Sequence, residues 1–157
     1  MIPFPEHGEY RVGIDGMIIL FQAFGNWNRE GSLSCTRSIH DLVNTLEGRG
    51  FGVLIDSFDF EGVTDDGYSD WYEEIHSWKE NNLISVARVD NVNSVHYKVF
   101  LKPFDALFRE LTQFKNVKSY KEAFDFLWES GLKGFESGIS TVVAHSATRI
   151  NQTFRVP

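Results

Sequence analysis

The chain has 157 residues, 42% of them apolar and 15% aromatic, enough for one compact domain that buries roughly 68–70% of the surface its unfolded chain would expose. Lys plus Arg number 15 against 22 Asp plus Glu, a formal charge of −7, which repels polyphosphate and leaves no electrostatic footing for nucleic acid or an anionic membrane. The single cysteine excludes an internal disulfide and a cysteine-rich zinc site and suits a reducing cytoplasm. The longest apolar run, Met17–Phe21, is far shorter than the roughly 20 residues of a membrane helix. The start MIPFPEHGEY lacks the basic region of an export signal, so neither membrane insertion nor export is expected.

In Tyr10–Asp15 the residues Tyr10, Val12 and Ile14 alternate with Arg11, Gly13 and Asp15, the period of a half-buried strand. Asp15-Gly16 supplies a two-residue turn and Met17–Phe24 resumes as an apolar strand, so a hairpin opens the domain. From Ser34 onward Cys35, Ile39, Leu42, Val43 and Leu46 form the stripe of a core-facing helix that stops at Gly48 and Gly50. Phe51–Asp56 is a continuous apolar run that predicts a central strand, and SFDFEGVTDDG after it reads as a polar loop. Trp71, Ile75 and Trp78, flanked by Tyr68 and Tyr72, predict a helix over about Asp65–Lys79.

Ile84–Asp90 reads as another strand and Asn91–Val95 as a turn. A third helix starts somewhere in Val95–Phe104 and carries Phe104, Leu107, Phe108 and Leu111. Pro103 argues against its running unbroken from Tyr97, since an interior proline costs about 3 kcal/mol. Asn116–Ser119 is too short for periodicity alone to establish a strand, and only the order of the elements supplies a short one here. Ser119-Tyr120-Lys121-Glu122 is a capping box, which starts a fourth helix with Ala123, Phe124, Leu127 and Trp128 as its stripe and Gly131 as its left-handed stop. Residues 132–157 change character and read as a tail, helical, disordered or docked on a partner subunit, attached to a domain of residues 1–131. No fixed-period repeat or low-complexity segment occurs.

The order β-β-α-β-α-β-α-β-α resembles the STAS superfamily, and the segments YRVGIDGMIILFQAFGNW, VLIDSFDFEG and FKNVKSYKEAFDFLWESG are similar to its SpoIIAA-like branch, over about Tyr10–Gly131. The resemblance implies an α/β fold: a mixed five-stranded sheet with one antiparallel hairpin strand and packed helices. It also implies a small, non-enzymatic regulator or binding module of bacterial type, since the wider superfamily includes antagonists of anti-sigma factors and cytoplasmic domains of anion transporters. Many such regulators accept phosphate on a Ser in a DSSG-like step. Here the matching step is Thr64-Asp65-Asp66-Gly67, so Asp66 takes the acceptor position and the usual phosphoserine switch is missing, with Thr64 and Ser69 as nearby hydroxyls.

The densest candidate site is the segment Ser57–Tyr72, at the carboxyl end of a central strand, where open α/β sheets place ligands. Its carboxylates Asp59, Asp65 and Asp66, in a wider group with Asp56, Glu61 and Asp70, fit neither the calcium-loop spacing nor a phosphate-transferring DxD step. The plainer account is that Asp65 or Asp66 caps the helix. Its aromatics Phe58, Phe60, Tyr68, Trp71 and Tyr72, with Trp78 further along the helix, suit a partner surface or a pocket, although a stripe at helical spacing is most often core. Trp27 after the second strand fits core closure or a dimer contact. Cys35 and His40 fall five apart on a helix and face different ways, and no metal-ligand spacing, GxSxG elbow or phosphate loop is present.

The residues therefore point to no catalytic group, metal or cofactor. The leading expectation is a cytoplasmic protein-interaction module working through Phe58, Asp59, Phe60, Asp65, Asp66, Tyr68 and Trp71, with homodimerisation as a further expectation. The alternative is a carrier or sensor holding a small apolar molecule or lipid beside the sheet, lined by Phe58, Phe60, Trp71 and Phe104.

Overall fold

In a computed structural model that describes residues 8–137, five strands form one sheet in the order β1-β2-β3-β4-β5. These are β1 (Glu9–Asp15), β2 (Ile18–Trp27), β3 (Phe51–Val63), β4 (Leu83–Val89) and β5 (Gln113–Val117). β1 runs antiparallel to β2, and every later pairing is parallel. Four α-helices cover the sheet: α1 (Arg29–Thr45), α2 (Asp65–Glu80), α3 (Lys102–Leu111) and α4 (Tyr120–Glu129). The fold is thus α/β with the mixed five-stranded sheet that the chain order implies.

The hairpin closes at Gly16, whose φ of 57° lies in the left-handed region and whose missing Cβ would otherwise strike the Lys133 carbonyl. Along β2 the side chains alternate between two cores, as the pleat requires. Ile19 and Phe21 join the helical stripe of α1 (Cys35, Ile39, Val43) and α2 (Ile75, Trp78), whereas Ile18 and Leu20 meet α4 through Ala123, Phe124 and Leu127. α1 and α2 start side by side, and a Cβ on Gly67 would come within 2.8 Å of Ser32 Oγ, so only glycine permits that approach.

Several boundaries differ from the sequence expectations, each for a local reason. β2 runs on to Trp27, and α1 begins at Arg29 rather than Ser34, with Asn28 accepting the Gly31 amide at 2.9 Å. The helix that contains Pro103 does start near Tyr97. A π turn over Tyr97–Leu101 pairs the Lys102 amide with the Tyr97 carbonyl, and Pro103 follows in the first turn of α3, where its missing N–H costs little. The capping box keeps its forward half, Glu122 N–H to Ser119 Oγ at 3.2 Å, while the Glu122 carboxylate accepts from the Lys118 amide at 2.9 Å. Gly131 ends α4 at φ 90° as the sequence predicts.

The segment after Gly131 begins as part of the fold. Leu132 and Phe135 are buried in the α4-side core. The Met17 amide donates to the Lys133 carbonyl at 2.7 Å, the Phe135 amide to Asp15 at 2.7 Å, and Trp128 Nε1 to the Gly134 carbonyl at 2.8 Å. The expectations for the tail beyond residue 137 lie outside the described residues.

Candidate functional site

The peptide after Asp56 stays in the sheet, which corrects the loop expected there. β3 continues to Val63 beside the extension of β2, with two bulges, one between the pairs Gln22–Asp56 and Phe24–Asp59 and one between Gly25–Phe60 and Asn26–Gly62. The extra residues change which side each side chain meets. Ser57 and Phe60, three apart, both face the helices, whereas Phe58 is turned out and 47% exposed.

Between this extended end of the sheet and helices α2 and α3 lies an apolar pocket of about 60 Å³. It sits at the carboxyl ends of parallel strands, the usual ligand position in open α/β sheets. β2 contributes Ala23 and Trp27, β3 Ile55 and Phe60, α2 Trp71 and Trp78, and the π turn and α3 contribute Leu101 and Phe104. The rings brace one another: Phe21 stacks on Trp71 at 5.2 Å, Trp27 meets Trp71 edge-on at 6.1 Å, and Phe60 meets Phe100 edge-on at 6.5 Å. Two indole N–H groups are committed elsewhere, Trp27 to the Phe24 carbonyl and Trp78 to Glu74, both at 2.8 Å. Burial raises the Glu74 carboxyl above its ordinary value, against the opposing pull of His40, whose Nδ1 lies 3.4 Å away.

The floor of the pocket holds a charge. Arg88 on β4 is 1% exposed; its Nε reaches both oxygens of Asp90 at 2.8 and 3.1 Å, and its Nη2 bonds Asp105 of α3. Tyr97 donates to Asp105 at 3.1 Å and Asn116 to Asp90 at 2.7 Å. The guanidinium carbon also lies 5.2 Å from the Phe114 ring and 5.9 Å from that of Phe108. Burial raises the Asp90 carboxyl, with Arg88 acting the other way. One buried cation thus ties β4, β5, the π turn and α3 together beneath the pocket.

Of the sequence candidates, Phe60, Trp71 and Phe104 line the pocket, and half-buried Tyr68 packs on Phe104 at 4.4 Å. Phe58 is not among the lining residues. Asp59 is half-buried on β3, and Asp65 and Asp66 are exposed at the start of α2. Asp66 is engaged in capping: it accepts from the Thr64 hydroxyl at 2.6 Å and the Gly67 amide at 2.9 Å. The Thr64 hydrogen bond, foremost, lowers its carboxyl below the usual range. Asp70 pairs with Arg29 at 3.2 Å. Trp27 closes the core at 2% exposed. Trp78, another of the aromatics that suited a pocket, also lines it, and the residue that sequence reasoning left out is Arg88, whose only signal was a charge inside the apolar run Val86–Val89.

Asp56 departs from the acidic group altogether and faces α4. It accepts from Tyr120 Oη at 2.7 Å and from the Phe58 amide at 3.1 Å, and Gln22 Nε2 lies 2.5 Å from the same Tyr120 oxygen. Burial raises its carboxyl from the ordinary 3.8 despite these bonds. The fold therefore favours the protonated acid, and the stability it gives is complete below 3.8 and lost as pH rises through the raised value. The stability of Asp56→Asn relative to the native protein should accordingly increase as pH rises above 3.8, and Asp56→Ala, which takes the acceptor from the Tyr120 hydroxyl, should follow the same drift while lying about 1–3 kcal/mol below Asp56→Asn. Urea midpoints across the pH range check both; a native-minus-Asn difference that does not move with pH contradicts the assignment.

No protein-family model and no curated protein matches the chain. A crystal structure does: an uncharacterized DUF3478-family protein with a SpoIIAA-like fold from Shewanella loihica PV-4 matches 80% of this chain and 98% of its own length, with a TM-score of 0.61 at 15% identity. The fold is SpoIIAA-like. At this identity the similarity carries the architecture, and the pocket has to be read from its own residues. Among the described residues of this SpoIIAA-like domain, no group of three or more His, Cys, Asp or Glu could hold a metal, and no helix is long and apolar enough to cross a membrane.

Proposed function

We propose that this protein is a non-enzymatic, cytoplasmic binding module of regulatory type whose ligand is a small apolar group held in the pocket between β2–β4 and helices α2 and α3. The observation that carries this reading is a cavity lined almost wholly by rings and aliphatic side chains at the carboxyl end of a parallel sheet. Such a surface favours apolar groups over water, because water needs two to four polar partners. An engineered cavity of about 150 Å³ takes benzene, so the roughly 60 Å³ here suits a short or branched alkyl group.

A second reading, docking of a protein partner, is favoured by the exposed side chains of β3 and α2, where Phe58 and Tyr72 are 47% and 41% exposed and Asp65 and Asp66 are exposed too. One experiment separates the two. Ala23→Leu fills the pocket without altering the exterior; it should abolish the saturable change in tryptophan emission on adding hexanol while keeping the fold. Reversal of Asp65 and Asp66 to Lys should leave that signal intact and abolish protein capture at low salt only if the surface is the working part. Hexanol binding that survives Ala23→Leu rejects the pocket.

A further inference from the structure

We infer that the pocket holds a short hydrocarbon group carrying one neutral oxygen, a ketone or an alcohol in its simplest form, and that the Ser57 hydroxyl is the group that recognises this oxygen. This rests on the pocket reading above and adds the ligand's one polar atom and the place where it binds. The first observation is the chemistry of the lining. Apart from hydrocarbon side chains and indoles, only Ser57 and Arg88 line the pocket. Ser57 is 4% exposed, and among the described residues its hydroxyl has no hydrogen-bond partner. A buried hydroxyl in that condition costs free energy that an alanine would not. The hydrocarbon around it offers water too few of the two to four polar partners that a held water needs.

The second observation is position. Ile55 is paired in register with Arg88, and Ser57 is the next residue of β3 on the same, pocket-facing side. It falls at the bulge where the register passes from Gln22–Asp56 to Phe24–Asp59, and Ala23, the β2 residue that this break skips, lines the pocket too. The two smallest side chains of the lining thus stand at one break in the ladder. Arg88 sets the charge of the ligand. Its Nε is held by Asp90 and its Nη2 by Asp105, so two buried carboxylates share one cation, and an anionic oxygen would lose its water to join an excess of negative charge. A neutral oxygen needs only a hydrogen bond to recover what it leaves in water, and a serine hydroxyl can donate to a carbonyl or exchange one with an alcohol.

The test uses the whole protein and four probes of matched shape: butanone, sec-butanol, propionate, and the alkene in which a methylene replaces the butanone oxygen. Each is titrated by NMR against the indole signals of Trp27, Trp71 and Trp78, which line the pocket. Ser57→Ala should weaken butanone and sec-butanol at least about fivefold and leave the alkene within about twofold of its native affinity, the sign that the pocket itself is intact. Propionate should bind the native protein at least about tenfold more weakly than butanone. The same substitution should leave the urea midpoint unchanged or raise it, since it removes a hydroxyl that the fold does not use. Equal weakening of alkene and butanone, no weakening of either, tighter binding of propionate than of butanone, or a lowered urea midpoint overturns the inference, while alkene binding to the native protein keeps the pocket reading standing. Failure of all four probes to bind the native protein overturns the pocket reading itself.

Discussion

Replacing Arg88 by Met is expected to lower the stability of the fold by about 3–5 kcal/mol, the cost of leaving buried charges without their partner. Arg88 is 1% exposed and is the single cation between Asp90 and Asp105, both themselves buried. Methionine matches the length of the stem and removes the donors, so Asp90 keeps only Asn116 and Asp105 only Tyr97. Neutralising the carboxylates in the same chain, with Asp90→Asn and Asp105→Asn added to Arg88→Met, should recover most of the loss, because what is expensive is the unpaired charge rather than the missing pair. Urea titration followed by tryptophan emission measures both; a single-variant loss below about 1 kcal/mol would show that the cluster is not closed to water as the contacts indicate.

Trp78→Ala should cost a similar amount, about 3–5 kcal/mol, through the cavity left by a fully buried indole. Its consequence for the pocket is more informative than the loss itself. Trp78 forms part of the wall, so truncation merges its volume with the existing space and makes room for an aromatic ring. The variant's melting temperature should therefore rise on adding benzene, while that of the native protein should respond far less, since a ligand that binds only the folded state stabilises it by mass action. A variant that is destabilised yet indifferent to benzene would mean that the neighbouring side chains collapse into the gap.

The helical half of this site was legible in the chain because its spacing survives folding. Trp71, Ile75 and Trp78 recur every three or four residues and all three line the pocket, as does Phe104 from the third helix. The strand half was not legible. Phe58 and Phe60 are two apart and look equivalent, but the bulge at Asp56–Asp59 shifts the alternation, sending Phe60 inward and Phe58 out. A bulge is set by pairing with another strand, which no local window contains. The same holds for the length of β3, which continues through polar residues because β2 continues beside it. Arg88 reads as the polar face of a strand until the two carboxylates that neutralise it are brought in from α3 and the end of β4. The start of α1 was hidden differently, since its first turn is buried through Gly31 and Ser32, residues too small to mark an apolar stripe.

The π turn at Tyr97–Leu101 gives the backbone one surplus residue over an ordinary coil, and everything downstream in that helix is rotated by about 100° relative to where a regular winding would put it. Leu101 and Phe104 owe their inward aim, and Asp105 its reach to Arg88, to that offset. Removing one residue from this stretch would thus unscrew hydrocarbon and counter-ion from the sheet together, which makes the length of a five-residue segment, rather than the identity of any side chain in it, the setting that aligns the roof of the pocket with its floor.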